Sequence, residues 1–186
     1  MVVPIRLLGI SGSLRRDSYN TRVLHVCREL APDDVELEIR RLGAIPLFDR
    51  DLEAEGYPDG VVALRDAIRE ADGVLLATPE YNWSISGVMK NAIDWASRGK
   101  DSPLDHKPTA LLSAAGRSGG RRAQTHLREV LAHNRVDVLD DAVQIARAWE
   151  HFEDGRLVTE DHRAAIRDLV QTLRAHVLDR DRAEPA

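Results

Sequence analysis

The sequence predicts a doubly wound α/β fold, with a five-stranded parallel sheet in the order 2-1-3-4-5 and helices on both faces. Short apolar runs, typical of buried strands, alternate about five times with segments of amphipathic helical spacing. Parallel strands connected through helices use right-handed crossovers, and this places helices on both faces of the sheet. Five strands in 186 residues favour this order over the six-stranded dinucleotide-binding order.

The first elements are a strand, a helix and a second strand. Residues 2–10 are mostly apolar and lead into Ser-Gly-Ser, as expected of a buried strand followed by a tight loop. Apolar residues between 23 and 30 have the spacing of an amphipathic helix, which Pro32 ends. Residues 35–42 alternate apolar with charged side chains, so we expect a strand with one solvent-facing side at a sheet edge.

The remaining elements continue this alternation. A long polar connection precedes a helix over 61–71, and the apolar run 74–77 predicts a central strand covered on both faces. Further helices are predicted at 86–97, around 127–131 and at 166–173, and further strands at 108–114 and 136–138. No interdomain linker is evident, so residues 1–178 are predicted to form one domain and the polar segment 179–186 a disordered tail.

Composition limits the classes of partner. The net charge is −5, from 26 basic and 31 acidic residues, which argues against nucleic acid or an anionic membrane as the main partner. One cysteine and seven scattered histidines give no metal-ligand spacing, so no metal is expected. No apolar run reaches the roughly 18 residues of a membrane span, and the first ten residues lack signal-peptide features, so we expect a cytoplasmic protein.

In open α/β sheets, ligands bind beyond the carboxyl ends of the strands, where the strand order reverses. The loop after the first predicted strand, residues 11–20, combines hydroxyls and arginines with a helix start, where backbone N–H groups attract anions. Its candidate cofactor ligands are Ser11, Ser13, Arg15, Ser18, Tyr19 and Asn20. Neither GxxxxGK[ST] nor GxGxxG is present, which favours a monophosphate. Alternatively, Ser18 or Asn20 only caps the helix.

The loops after the third and fourth predicted strands suit a planar ring. The earlier loop places aromatic side chains beside hydrogen-bonding groups, although these aromatics could instead shield the start of the next helix. Its candidates are Pro79, Glu80, Tyr81, Asn82 and Trp83. The later loop contains Gly116, Gly119 and Gly120, which either let the backbone approach a ligand closely or form a plain turn. Together, the three loops predict a site for a phosphate joined to a planar ring.

Three segments carry a family resemblance. They are GISGSLRRDSYN at 9–20, TPEYNWSISGVMKNAIDWAS at 78–97 and SAAGRSGGRRAQTHLREVL at 113–131. In this order they resemble the NADPH-dependent FMN reductase family, flavodoxin-like proteins that include bacterial chromate and quinone reductases and some azoreductases. The resemblance extends from about residue 5 to residue 175. One departure is Ser86, where the family often carries proline.

The resemblance implies noncovalently bound FMN. Its phosphate would lie on Ser11, Ser13, Arg15, Ser18 and Asn20. Its ring would be lined by Pro79, Glu80, Tyr81, Asn82 and Trp83, and closed at the far edge by Ser113 and Gly116 to Gly120. It also implies a homodimer or homotetramer. Arg117, Arg121 and Arg122 are candidates for the phosphates of NAD(P)H.

The activity expected from this resemblance is that of an NAD(P)H:acceptor oxidoreductase. Hydride would pass by a ping-pong scheme through FMN to quinones, free flavins, azo compounds or metal oxyanions. Because the flavin carries the chemistry, no side chain is expected to act as a nucleophile or a dedicated acid or base. Two alternatives remain open: a flavodoxin-type electron carrier, and an FMN-based redox sensor that binds a partner.

Overall fold

The computed structural model describes residues 3–183. In chain order, its elements are β1 (Ile5–Ser11), α1 (Tyr19–Glu29), β2 (Val35–Arg41), α2 (Arg50–Glu55), α3 (Asp59–Glu70), β3 (Gly73–Ala77), β4 (Glu80–Tyr81), β5 (Ser84–Ile85), α4 (Gly87–Ala96), β6 (Pro108–Ala114), α5 (Arg121–His133), β7 (Asp137–Ile145), a 3-10 turn (Ala148–Glu150), β8 (Phe152–Glu153), β9 (Arg156–Leu157) and α6 (Glu160–Ala183). Among these described residues, no helix combines the length and the apolar character needed to cross a membrane.

Five strands form one parallel sheet in the order β2-β1-β3-β6-β7. Counted within this sheet alone, the order is the predicted 2-1-3-4-5, and the flavodoxin-like fold is confirmed. Strand β1 pairs with β2 on one side and β3 on the other, so the strand order reverses beside β1. The carboxyl ends of β1 and β3 are therefore the place where the fold favours a ligand.

Helices cover both faces of the sheet, each over its own apolar core. On one face, Leu24 of α1 and Val170 of α6 are buried in a shared cluster with inward side chains of the strands. On the other face, Ile68 of α3, Met89 of α4 and Leu127 of α5 fill a second cluster. Fully burying each such side chain stabilises the folded state by about 1.5–3 kcal/mol. These two cores therefore hold the helices on the sheet, and the sheet in turn positions the loops at its carboxyl ends.

The residue pattern of each strand matches its place in the sheet. In β2, Val35 and Leu37 are buried while Glu36 and Glu38 are exposed, which confirms the predicted edge strand with one wet side. Strands β3 and β6 are buried along their whole length, because helices cover both of their faces.

Three short elements lie where the sequence predicts only loops: α2 and the hairpins β4–β5 and β8–β9. Strands of two residues and a helix of six are too short to show a period. Helix α6 continues to Ala183, beyond the predicted start of the tail at Asp179, and within this extension the Arg180 guanidinium donates to the His106 carbonyl. Residues 1–2 of the first predicted strand and 184–186 of the predicted tail lie outside the described residues.

Candidate functional site

A cavity of about 200 Å³ lies at the carboxyl edge of the sheet and brings the three predicted loops together. Its lining comes from the loops after β1, β3 and β6 and from the turn after β7. The lining residues are Ser13, Arg15, Ser18, Tyr19, Asn20, Pro79, Glu80, Tyr81, Ala114, Ala115, Gly116 and Trp149. The site is therefore built from segments far apart in the sequence and adjacent only in this strand order.

The first loop presents hydroxyls and a helix N-terminus to the cavity. Ser18 caps α1, since its side-chain oxygen accepts a hydrogen bond from the Thr21 N–H at 3.3 Å. Ser18 therefore caps the helix and also lines the cavity, so the cap does not remove it from the candidate site. The first N–H groups of α1 have no partner within the helix, so this end carries partial positive charge. The exposed side chain of Arg15 adds a full charge beside it.

Ser11 and Asn20 connect the loop to the sheet. The buried Ser11 hydroxyl lies 2.7 Å from the Thr21 hydroxyl, below the cavity rather than in its lining. The Asn20 side-chain N–H donates to the Ala114 carbonyl at 2.9 Å, and the Ala114 N–H donates to the Asn20 side-chain oxygen at 3.0 Å. This pair of bonds fixes the first turn of α1 against the end of β6.

The second loop forms the β4–β5 hairpin. Asn82 and Trp83 occupy its tip with φ of +48° and +70°, the left-handed region that a two-residue hairpin turn requires. Neither residue lines the cavity, whereas Pro79, Glu80 and Tyr81 do. The flat side chain facing the cavity from this loop is therefore that of Tyr81, which is 53% exposed.

Glu80 joins the second loop to α5. Its carboxylate accepts hydrogen bonds from the backbone N–H groups of Arg122 at 3.0 Å and Ala123 at 3.5 Å. Helix α5 begins after Gly120, which offers no side-chain cap, so Glu80 supplies the cap from another loop. The Arg122 guanidinium lies 3.7 Å from the centre of the Trp83 ring and pairs with Glu80 at 3.7 Å.

The third loop depends on two glycines with positive φ. Gly119 and Gly120 have φ of +63° and +87°, and the buried Ser113 hydroxyl donates to the Gly119 carbonyl beneath them. Ser113 also accepts from the Gln124 side-chain amide at 2.8 Å, so it supports the loop from below. Gly116 lines the cavity directly.

The three candidate arginines for NAD(P)H differ in their surroundings. Arg122 is engaged with Glu80 and Trp83, as described. Arg117 and Arg121 are exposed, and neither side chain forms an ion pair among residues 3–183. Arg117 and Arg121 are therefore the ones available to a phosphate.

Ser86 links the second loop to the first. Its side-chain oxygen caps α4 by accepting from the Met89 N–H at 3.3 Å, and its hydroxyl donates to the Gly12 carbonyl at 2.6 Å. Its φ of −64° is one that proline also adopts, so the departure from the family pattern leaves the backbone path possible for both residues.

Two residues near the site were not expected from the sequence. Trp149 lines the cavity from the turn after β7. Arg41, at the end of β2, donates to the backbone carbonyls of Leu14 at 2.6 Å and Arg15 at 3.1 Å and so holds the first loop from outside. Both follow or end a strand of the same sheet, so applying the carboxyl-edge rule to all five strands would have found them.

Two titratable groups outside the cavity lining have pKa values that burial shifts. Burial raises the pKa of the Cys27 thiol to about 12, since its side chain packs in the apolar core beneath α1. Burial, and secondly the neighbouring His151, hold the pKa of His162 below its usual value. Within residues 3–183, no three His, Cys, Asp or Glu side chains are grouped to hold a metal ion.

The donor set of the cavity fits FMN in its two parts. Hydroxyls of Ser13 and Ser18, the N-terminus of α1 and Arg15 suit a phosphate at one end. Tyr81 and Trp149 offer flat apolar surface at the other end, and open space beside Gly116 lets a planar ring approach the backbone there. A phosphate joined to a heteroaromatic ring is thus the ligand class that these residues fit.

Comparisons with known proteins agree with this ligand class. A family model for NADPH-dependent FMN reductases matches residues 5–150. The chain is 45% identical over 176 residues to an NAD(P)H-dependent FMN reductase of Pseudomonas aeruginosa, covering 93% of this chain and 95% of the relative. It is 36% identical over 180 residues to a 2-hydroxy-1,4-benzoquinone reductase of a Burkholderia species, covering 95% of this chain and 98% of the relative.

A solved structure extends the likeness to three dimensions. FerB, a flavoenzyme NAD(P)H:(acceptor) oxidoreductase from Paracoccus denitrificans, matches with a TM-score of 0.82 and 30% identity, covering 94% of this chain and 98% of that chain. The family match spans β1 through the turn after β7, and therefore every segment that lines the cavity. The chain belongs to the NADPH-dependent FMN reductase family and is an oxidoreductase that uses FMN and NAD(P)H.

Proposed function

We propose that the chain reduces quinones at the expense of NAD(P)H, in a ping-pong cycle at the cavity on the carboxyl edge of the sheet. One observation carries the proposal. The N-terminus of α1, which favours anions, and flat aromatic side chains line the same open cavity. The names of two relatives, an FMN reductase and a benzoquinone reductase, support the acceptor class. Free flavins, azo compounds and metal oxyanions are further acceptors that we propose for this site.

In this proposal, each loop has its own task in holding the cofactor. When bound, FMN supplies the transfer of two electrons and a proton between nicotinamide and acceptor. Ser13, Ser18, Arg15 and the N–H groups of α1 bind the phosphate, while Ser11 and Asn20 keep these donors in place. The other candidates that line the cavity would border the ring: Tyr19, Pro79, Glu80, Tyr81 and Gly116. Candidates outside the lining would support these loops: Asn82, Trp83, Ser113, Gly119 and Gly120. Arg122, a candidate for NAD(P)H, is held by Glu80 and Trp83.

A single open face explains why the two substrates would take turns. Tyr81 and Gly116 leave one side of the cavity open to solvent, since both are exposed. A nicotinamide and a quinone are both flat and would need the same surface. Arg117 and Arg121 would bind the phosphates of NAD(P)H at the rim and leave the ring free once that nucleotide departs.

Assembly and location are part of the same proposal. We propose a homodimer or homotetramer, as the family resemblance implies. We propose action in the cytoplasm, where reduced nicotinamide nucleotides are formed.

Steady-state kinetics test the proposal. Initial rates measured at several fixed concentrations of a benzoquinone, with NADPH varied, should give parallel double-reciprocal lines, because the two substrates never share the site. Intersecting lines would overturn the ping-pong order. The protein could also fail to oxidise NADPH with any of quinone, flavin, azo dye or chromate. That result would overturn the proposed enzymatic activity and favour a role as an electron carrier.

A further inference from the structure

Trp149 has a side chain that the described part of the chain covers only in part. It lines the cavity, yet 54% of its surface is exposed. Trp83 is also exposed, but the Arg122 guanidinium lies against its ring. The ring of Trp149 has no aromatic or cationic neighbour in the part of the chain that the structure describes. Exposed indole surface is unfavourable in water, and a flat ligand in the cavity would cover it.

The backbone beneath Trp149 is held firmly against the third loop. The Arg147 N–H donates to the Gly116 carbonyl at 2.8 Å, and the Ala148 N–H donates to the Ala115 carbonyl at 3.1 Å. Arg147 adopts φ of +45°, and Ala148 is 1% exposed, so the turn is anchored immediately before the indole. A side chain presented from a fixed backbone loses little freedom when a ligand packs against it.

The strand order places Trp149 opposite Tyr81. Tyr81 follows β3 and Trp149 follows β7, while β6 lies between these strands and ends at Ala114 under the cavity. Neighbouring strands are about 4.8 Å apart, so the ends of β3 and β7 are about 10 Å apart. A flat ring system therefore has an aromatic side chain on either flank of the strand that forms its floor.

We propose that Trp149 is a further wall of the flavin site and packs against the ring portion of FMN rather than its phosphate. The phosphate donors Ser13 and Ser18 come from the first loop, whereas Trp149 carries no charge and, apart from one indole N–H, offers flat apolar surface. This inference rests on the proposed function only in that FMN occupies the cavity; it gives the turn after β7 a role in holding the ring.

Binding measurements on the flavin-free full chain test the proposal without turnover. FMN and riboflavin, which has the same ring but no phosphate, are titrated while flavin fluorescence is followed. Trp149→Ala should raise the Kd of both flavins by the same factor, about tenfold, because ring contact is lost for both. Trp149→Phe should stay within about threefold of the unmodified chain, since a flat ring remains.

The control is Val62→Ala, which removes another exposed apolar side chain on α3, outside the cavity lining, and should leave both Kd values unchanged. An unchanged Kd in Trp149→Ala, or a loss confined to FMN, would overturn the proposal. Failure of the unmodified chain to bind FMN or to be reduced by NADPH would overturn the proposed function instead. A binding defect seen only in Trp149→Ala supports this inference, whatever the acceptor.

Discussion

Gly120 shows how one residue sets the shape of the third loop. A Cβ atom at this position would lie 2.5 Å from the Cβ of Ser113, closer than real contacts allow. Ser113 is fully buried and bonded to both Gly119 and Gln124, so it cannot move aside. The positive φ of Gly120 adds a second reason why only glycine fits here. The sequence leaves open whether the glycines of this loop allow close approach to a ligand or form a plain turn. A Cβ at Gly119 or Gly120 would meet the protein itself, whereas a Cβ at Gly116 would meet open space.

Gly120→Ala should lower the free energy of unfolding by about 2 kcal/mol or more, because strain from the positive φ adds to overlap with Ser113. Urea unfolding followed by circular dichroism measures this change. The matched control is Gly87→Ala at the start of α4, where a Cβ would meet open space and φ is not in the left-handed region. We expect the control to change stability by no more than about 0.5 kcal/mol. Equal stability of the two variants would contradict this account of the loop.

At the scale of elements, three helices begin at the site and each start is capped differently. Ser18 caps α1 and Ser86 caps α4 from the residue just before each helix, as the sequence pattern allows one to predict. Helix α5 is capped by Glu80, 42 positions from Arg122 in the sequence. The predicted strand order already places β3 beside β6, but this contact could not be predicted, because the two-residue strand that carries Glu80 has no period to show where its side chain lies. The second loop therefore depends on α5, and α5 on the second loop, through the hydrogen bonds of Glu80.

Glu80→Ala should destabilise the protein by about 1–2 kcal/mol, because the first N–H groups of α5 lose their acceptor. Hydrogen exchange should become faster at Arg122 and Ala123, whose N–H groups the carboxylate binds. Glu80→Gln keeps an acceptor oxygen and should retain most of the protection. If exchange at these two residues is unaffected in Glu80→Ala, the carboxylate does not cap the helix.

Asp34 and Arg174 join the turn before β2 to α6, and this contact predicts a pH dependence. The Arg174 guanidinium donates to both carboxylate oxygens, at 2.9 and 3.0 Å from its Nε, and holds the pKa of Asp34 below its usual value. A carboxyl group whose pKa is lower in the folded state adds stability above its unfolded pKa of about 4, and this stability is lost as pH falls through the lower folded value.

Arg174→Gln removes the charge that lowers this pKa. The difference in urea midpoint between the unmodified chain and Arg174→Gln should therefore be largest near neutral pH and should shrink below about pH 4. A difference that stays constant from neutral pH to pH 3 would show that the guanidinium contributes only through packing.

At the scale of the whole molecule, the strand order could be predicted because burial leaves a strong pattern. The wholly apolar run of β3 predicts a central strand, and the alternating pattern of β2 predicts an edge strand. Which side chains face the cavity could not be predicted, since loop residues have no such period. Ser11 and Ser113 fall beneath the site, and Trp149, from a loop with ordinary neighbours, lines it.

The absorbance spectrum of the purified protein, recorded without oxygen before and after addition of NADPH, tests the central claim most directly. The account predicts a yellow protein with one FMN per chain, whose visible bands disappear rapidly with NADPH and return when a quinone is added. A colourless protein that takes up no FMN, or a yellow one that NADPH leaves unchanged, would contradict it.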